Sequence, residues 1–402
     1  MMELTGGEDF RKQQQELNAE LEAKLSTGNL PTANILVAGI TGTGKSTLVN
    51  AIFGDEMAAT GTGQPITKEI KSYGNNDIPV KIWDTVGLEL DSTTTRESIR
   101  NIKQTIAEKS SSKDPFDRMH CIWYCINSGS NRYQGVELEF IKELYSVGVP
   151  FIIILTQCWG DENEVNNFEM EIRRINSEKG IGNIDIVQVM AQEMKLRGLP
   201  PIPPFGLDKL VDTTLAKLPE FITSSFIAAQ KISKQEKRKC GVQIIMEYVN
   251  AAQNGFWEKV PVARVFATNL HLKNMFVALS KMYNTVLDES AVEDIINIFN
   301  GSKIQIKGKY IESLGAFTLF QINFSNDKKK ELQALFSQQE EGLDKEMSEK
   351  IASAKAIAFY GCVFMDSIDE VWDKLKSKEL NEVRTLIYQL AGTIRDKLKH
   401  YK

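Results

Sequence analysis

Short apolar runs alternate with longer amphipathic stretches between residues 30 and about 220. The apolar runs predict buried strands at 34–38, 68–73, 79–83, 120–126, 151–155 and 184–190. The amphipathic stretches predict helices near 45–54, 92–109, 135–147, 164–179 and 207–218. Strands that alternate with helices are typical of an α/β fold with a doubly wound, mostly parallel sheet. The hairpin signal at 74–77 adds one antiparallel edge strand to that expectation.

The pattern changes on either side of this region. Residues 8–27 have apolar side chains at near-helical spacing, which predicts an amphipathic helix. Beyond residue 220 strand-like runs become rare and helical periodicity dominates. We therefore expect an N-terminal helical segment at 1–29, an α/β domain at 30–220 and an all-helical domain at 221–402.

Two segments of the helical region have alternative interpretations. Residues 351–365 carry one charge, Lys355, and are shorter than the roughly 20 apolar residues that span a bilayer. A helix buried in a bundle core is favoured there over membrane insertion. The basic run 231–239 predicts a helix face that is exposed to solvent. The alternative is that these basic side chains contact anionic lipid.

Composition narrows the class of protein. The chain has 402 residues, 42% of them apolar and 25% charged, which is typical of soluble proteins with a core. A net charge of −5 argues against nucleic acid as a partner. The five cysteines lack the spacing of a zinc site, and the first residues lack the basic and apolar regions of a secretory signal. A cytoplasmic location is expected.

Residues 39–46 match the phosphate-binding pattern G-x-x-x-x-G-K-[ST] between a predicted strand and a predicted helix. Glycines let the backbone amides turn inward at a helix N-terminus, where they bind phosphate. Lys45 can then reach the outer phosphates, and the Ser46 hydroxyl can bind Mg²⁺. A plain glycine-rich turn is the alternative. The expected phosphate contacts are Gly39, Thr41, Gly42, Thr43, Gly44, Lys45, Ser46 and Thr47.

A second motif, Asp84-Thr-Val-Gly87, ends a predicted strand. The Asp84 carboxylate can bind Mg²⁺, and the Gly87 amide can meet the γ-phosphate. A threonine in the stretch 57–67 can complete the metal site and respond to the γ-phosphate. Thr67 fits best because it precedes the next strand, and the alternatives are Thr60 and Thr62.

Together these motifs resemble the Era-like branch of the translation-factor-related GTPases. The similar segments are Gly39–Gly54, Asp84–Leu88 and Phe205–Leu210. The resemblance covers about 30–220 and implies GTP binding, Mg²⁺ and hydrolysis to GDP. Residues from about 240 to 390 more faintly resemble a helical domain of uncharacterised function that follows some bacterial Era-like GTPases. The resemblance also leaves open self-association through the G domain and peripheral membrane contact through the helices.

The chain departs from this family in the base-recognition segment. The family uses Asn/Thr-Lys-x-Asp, and this chain has Thr156-Gln157-Cys158-Trp159. Gln157 replaces the lysine, and Trp159 replaces the aspartate that binds the guanine N–H and amine. Asp161 is an alternative acceptor, and Trp159 either stacks on the base or packs within the loop. The Ala191 amide fits the position that meets the guanine oxygen.

Leu88 stands where many Ras-like enzymes have a water-orienting glutamine, so slow intrinsic turnover is expected. The leading hypothesis is a Mg²⁺-dependent GTPase that couples its nucleotide state to the helical domain, with Lys45 and Thr67 as catalytic residues. One alternative is a membrane-associated, self-assembling GTPase of the dynamin-like or immunity-related type. Another is a nucleotide-binding interaction module with negligible hydrolysis.

Overall fold

Two compact units make up the part of the chain that the structure, a computed structural model, describes. One unit spans Pro31–Ser233, and the other holds the described residues from Lys234 onward. The predicted N-terminal helix at 8–27 lies outside the described residues. Those residues are 30–54, 57, 64–65, 70–74, 78–85, 92–130, 133, 135–195, 198, 200–253, 263–285, 287, 289–301, 330, 332, 334–335, 337–338, 343–375, 390, 392 and 394.

The first unit is built on a seven-stranded sheet with the order β2-β3-β4-β1-β5-β6-β7. Its strands are β1 Ala33–Ala38, β2 Gln64–Pro65, β3 Ile70–Tyr73, β4 Val80–Thr85, β5 Cys121–Asn127, β6 Phe151–Thr156 and β7 Asp185–Gln188. The five strands β4, β1, β5, β6 and β7 pair in parallel with their neighbours in that order. Strand β3 pairs antiparallel with β4 on one side and with β2 on the other. The predicted mostly parallel α/β sheet is therefore confirmed.

The described sheet has one short strand more than predicted, outside the antiparallel strand β3. The two-residue strand β2 pairs along its outer side. A strand of that length is too short to show the alternation of apolar and polar residues from which strands are predicted.

Helices cover both faces of the sheet. They are α1 Lys45–Phe53, α2 Ser92–Ser110, α3 Val136–Tyr145, α4 Glu162–Glu178, α5 Leu207–Leu215 and α6 Glu220–Ala229, with short 3₁₀ turns at 115–117 and 128–130. Side chains of β1 and β5 point alternately into two apolar clusters, one on each face. This alternation explains why the central strands have continuous apolar runs.

Helix α6 packs on the sheet, so the boundary predicted after residue 220 was wrong. The Phe226 ring lies 5.9 Å from the Phe53 ring and 6.1 Å from the Trp123 ring, centroid to centroid. The apolar side of α6 is therefore buried against the α/β core, and the first compact unit extends to Ser233. The sequence pattern becomes helical at about residue 220, but one more helix, α6, still belongs to the first unit.

The second unit is helical in its described parts. Its helices are α7 Lys234–Gln253, α8 Ala263–Met282, α9 Glu289–Gly301 and α10 Lys345–Leu375. The Phe276 ring of α8 stacks on Phe364 of α10 at 4.6 Å between centroids. Within the described residues, Lys350–Trp372 is long and apolar enough to cross a membrane, yet 78% of its most apolar window is buried. The prediction of a buried core helix at 351–365 is confirmed.

Part of the basic run is buried between these helices, so the solvated face predicted for 231–239 holds for the exposed Lys239 but was wrong for Lys237. Lys237 is fully buried, and its Nζ donates to the Met282 carbonyl oxygen at 2.9 Å. Arg238 Nε lies 2.5 Å from Asp369 Oδ2, which joins α7 to α10. Periodicity alone does not identify these two positions, because Lys237 is hydrogen-bonded and the half-buried Arg238 is paired with a carboxylate.

Candidate functional site

The loop between β1 and α1 has the backbone geometry of an anion-binding turn. Gly39, Gly42 and Gly44 have φ values of 141°, 82° and 81°, which L side chains rarely adopt. A Cβ atom on Gly39 would lie 2.4 Å from the Cys125 carbonyl oxygen, so this position also lacks room for a side chain. Helix α1 begins at Lys45 directly after Gly44, and its first amides point into the loop.

Lys45 is held within this loop. Its side chain is largely buried, and its Nζ donates to the Gly39 carbonyl oxygen at 2.9 Å and to the Ile40 carbonyl oxygen at 3.2 Å. The ammonium group therefore lies among the turned backbone, where it can bind a phosphate oxygen. This placement agrees with the role predicted for Lys45.

A cavity of about 530 Å³ opens beside the loop. It brings together most of the predicted phosphate-loop residues with residues from β3, β4 and the segment after β6. The lining residues are Thr41, Gly42, Gly44, Lys45, Ser46, Thr47, Lys71, Tyr73, Asp84, Thr85 and Gln157. Gly39 and Thr43 do not line it; the Thr43 hydroxyl donates to the Ile40 carbonyl oxygen at 2.8 Å and supports the turn.

Asp84 lies at the end of β4, in this cavity. Burial raises the pKa of its carboxyl group to about 6, while Lys45, Lys71 and a hydrogen bond from Tyr73 partly oppose that rise. The Asp84 Oδ1 atom is buried and has no hydrogen-bond partner among the described residues. A buried carboxylate oxygen without a partner is costly, so this atom is suited to a ligand.

The residues present fit a magnesium ion. Mg²⁺ prefers oxygen ligands and commonly binds one or two protein oxygens together with substrate phosphates. Ser46, which is exposed, offers a hydroxyl oxygen in the same cavity as the unpartnered Asp84 Oδ1. Ser46 and Asp84 are thus the described residues that would hold the metal.

The segment after β6 is bonded to the phosphate loop. The Thr156 hydroxyl lies 2.6 Å from the Thr43 carbonyl oxygen, to which it can donate. Gln157 Nε2 donates to the Gly42 carbonyl oxygen at 2.9 Å, and Gln157 Oε1 accepts from Asn127 Nδ2 at 3.3 Å. These bonds fix the two loops relative to each other.

The remaining base-recognition residues are not part of the cavity lining. Trp159 is 42% exposed, and one ring carbon lies 4.0 Å from the position of a Cβ on Gly129. Asp161 Oδ1 accepts from the Asn163 and Glu164 amides at 2.8 and 3.4 Å, which caps α4. Ala191 is half-buried and follows the carboxyl end of β7, just as Trp159 follows the carboxyl end of the neighbouring parallel strand β6.

Some predicted residues cannot be placed, and others were missed. Thr67, Gly87 and the alternatives Thr60 and Thr62 lie outside the described residues. Sequence reasoning missed Lys71 and Tyr73, which line the cavity from β3. Lys71 is paired directly opposite Asp84, so the hairpin register is the signal that could have found it. Asn127, which holds Gln157, was missed as well.

Comparison with known proteins supports a nucleotide site of this kind. Residues 34–157 match the family described as 50S ribosome-binding GTPase. The chain is similar to neuronal-specific septin-3 of Rattus norvegicus, with 26% identity over 171 residues, which covers 37% of this chain and 48% of the septin. For septin-3 of Danio rerio the identity is 26% over 164 residues, with 35% and 45% covered. The chain thus spans about half the length of these relatives.

Solved structures give low similarity. Era of Aquifex aeolicus aligns with a TM-score of 0.33 and 18% identity, covering 52% of this chain and 67% of Era. Translation elongation factor SelB of Methanococcus maripaludis aligns with a TM-score of 0.31 and 16% identity, covering 47% and 36%. These scores are too low to carry a conclusion about this chain. The family match and the phosphate-loop geometry together support a P-loop GTPase domain that includes residues 34–157.

Proposed function

We propose that this protein is a Mg²⁺-dependent GTPase that hydrolyses GTP to GDP and phosphate. The observation that supports this most directly is the cavity that joins Lys45, Ser46 and the unpartnered Asp84 oxygen. A positive nitrogen, a hydroxyl and a carboxylate around one cavity are groups that phosphoryl transfer uses.

Each group has a part in the proposed reaction. The backbone amides of 42–47 bind the phosphates, and Lys45 stabilises the charge that develops on the transferred phosphoryl group. Ser46 and Asp84, with Thr67 as a further ligand, would hold Mg²⁺, which would neutralise negative charge on the nucleotide phosphates. Leu88 in place of a water-orienting glutamine supports slow intrinsic turnover.

The proposal extends to the rest of the chain. We assign the nucleotide response to 57–67 and 84–100 and its output to the helical unit. A second candidate is a self-assembling GTPase at the membrane, for which the apolar helix Lys350–Trp372 would have to leave the core in which most of it is buried. Co-sedimentation with liposomes, with and without a GTP analogue, distinguishes a cytoplasmic protein from a peripheral membrane protein. No lipid binding and no nucleotide-dependent oligomer would reject the second candidate.

Lys45→Ala tests the proposed reaction. Removal of the ammonium group should lower phosphate release from GTP at least 100-fold, on the order of the loss of one transition-state donor, and weaken triphosphate binding. Phosphate release at saturating GTP, with Mg²⁺ or with a chelator, measures this. Unchanged turnover in the variant would contradict the mechanism, and no release by the parent protein would support the interaction-module alternative.

A further inference from the structure

The position of the base follows from the order of the strands, if the proposed function is correct. The phosphate loop follows β1, and Gln157, after β6, lines the same cavity. Ligands of doubly wound sheets lie across the carboxyl ends of the strands. A nucleotide with its phosphates on residues 39–47 would therefore place its base beyond Gln157, over the ends of β6 and β7.

To recognise guanine over the ends of β6 and β7, the protein needs a group that accepts hydrogen bonds from two donors of the base. The guanine ring N–H and the neighbouring 2-amino group lie on one edge, and a free carboxylate can accept from both. The segments that follow β5, β6 and β7 are residues 127–135, 156–161 and 189–206. They contain two carboxylates, those of Asp161 and Glu193.

Both carboxylates already have partners. Asp161 Oδ1 accepts the Asn163 and Glu164 amides at the start of α4, at 2.8 and 3.4 Å. Glu193 Oε1 pairs with Lys195 Nζ at 3.2 Å. A two-oxygen contact from Asp161 to a base would weaken the cap of α4, which typically stabilises a helix by about 1 kcal/mol.

The amide of Gln157 is also engaged. Its Nε2 donates to the Gly42 carbonyl oxygen, and its Oε1 accepts from Asn127. The Gln157 backbone has a φ of 56°, which is uncommon for a residue with a side chain, and Ser128 Oγ donates to its carbonyl oxygen at 2.9 Å. Gln157 is thus fixed as a link between two loops, and each polar atom of its side-chain amide already has one partner there.

Trp159 is the large exposed side chain of this loop. Its indole ring offers an apolar face beside the turn at 128–130. Aromatic rings stack on every base, because every base has a π-face, and such stacking does not distinguish one purine from another.

We propose that this site binds purine nucleoside triphosphates without reading the 2-amino group of guanine. Trp159 supplies a stacking surface, and Gln157 is a positioning residue that holds the base loop on the phosphate loop. Hypoxanthine has the ring N–H and the oxygen of guanine but lacks the 2-amino group. Inosine triphosphate should therefore bind about as well as GTP.

Equilibrium binding of GTP and inosine triphosphate to the full chain with Mg²⁺ tests this inference. The two dissociation constants should differ by less than about tenfold, because a missing hydrogen bond matters only where the site has a partner for it. Trp159→Asp supplies a carboxylate at an exposed position. It should raise the preference for GTP over inosine triphosphate at least about tenfold.

Asp161→Asn is the matched control, because asparagine caps a helix as well as aspartate and lacks the second carboxylate oxygen. The ratio of the two constants should stay unchanged in this variant. A preference for GTP of tenfold or more in the parent protein would overturn the inference, as would a ratio that shifts in Asp161→Asn. An unchanged ratio in Trp159→Asp would overturn the placement of the base. Failure of both nucleotides to bind would instead contradict the proposed function.

Discussion

Asp84 in the α/β unit is half-buried and Asp369 in the helical unit is buried, yet their carboxyl groups are perturbed in a similar way. Burial raises the pKa of each carboxyl group to about 6, and each has a tyrosine partner and nearby cations that partly oppose the rise. Both also have a buried carboxylate oxygen without a hydrogen-bond partner among the described residues, but Asp84 faces a cavity, whereas Asp369 Oδ2 lies 2.5 Å from the cationic Arg238 Nε.

The difference shows two ways in which a fold accommodates a buried charge. A charge that is paired inside the protein holds elements together, as Arg238 and Asp369 join α7 and α10. A charge whose strongest contact is missing costs stability unless a ligand supplies that contact. Neither a perturbed pKa nor a buried oxygen without a hydrogen bond separates the two aspartates, because both residues have these features. The cavity beside Asp84 and the arginine beside Asp369 separate them.

Asp84→Asn against Asp369→Asn is the sharpest test of this comparison. Asparagine keeps the shape of aspartate but loses the negative charge, so Asp84→Asn should weaken the metal site. We expect phosphate release from GTP to fall on the order of 100-fold. The measurement is the rate at saturating GTP over a range of Mg²⁺ concentrations.

Asp369→Asn should leave that rate within about twofold of the parent protein, because a separate unit contains it and the expected phosphate contacts all lie in 39–47. Equal losses of turnover in both variants would break the comparison. They would show that Asp369 also serves the nucleotide reaction.

Arg238→Met should lower the stability of the helical unit and leave the nucleotide site unchanged. It leaves Asp369 buried without its cation, and breaking a buried ion pair in this way typically costs about 3–5 kcal/mol. The free energy of unfolding of the helical unit should fall by about that amount, as measured by urea denaturation followed by circular dichroism. Nucleotide affinity serves as the internal control and should not change.

The double variant Arg238→Met with Asp369→Leu shows whether the lost stability comes from the unpaired carboxylate or from the packing of the arginine side chain. Replacing both charges with apolar side chains is often neutral, so most of the lost stability should return. A double variant as unstable as Arg238→Met alone would mean that packing of the arginine stem, and not the unpaired carboxylate, explains the loss.

The two units also differ in how far the sequence predicts them. The central strands and the phosphate loop follow from apolar runs and from one spaced motif, since both are local patterns. The position of Lys71 opposite Asp84 does not follow, because it depends on register. The expected four-residue turn at 74–77 is part of a longer connection, with Tyr73 paired to Ile82.

In the helical unit the sequence predicts that a helix exists, but not which of its faces is buried. Lys237 and Lys355 are both buried, and each donates to a backbone carbonyl oxygen, of Met282 and Gln338. Lysine is normally an exposed residue, and the solvated face predicted for 231–239 assigns Lys237 to solvent; the buried helix predicted at 351–365 does not indicate what Lys355 contacts. Their partners are distant in sequence, so only the packed structure reveals them.

The smallest expected effect is the pH dependence that Asp369 gives to the helical unit. Its pKa is about 6 in the folded protein and 3.8 as the ordinary value. Between these values the folded state holds the proton and the unfolded state releases it. The contribution of Asp369 to the free energy of unfolding is therefore highest below pH 4, falls as the pH rises to 6 and stays level above 6. The fall should be on the order of 2–3 kcal/mol.

Urea unfolding at pH 4.5, 5.5 and 7 measures this effect as the difference between the parent protein and Asp369→Asn. Asparagine does not titrate, so the variant should gain relative stability as the pH rises through this range. A difference that is independent of pH would mean that Arg238 keeps Asp369 ionised throughout, with a pKa near its ordinary value. Asp369 would then be a fully compensated charge, and its contrast with Asp84 would be greater than the pKa values alone indicate.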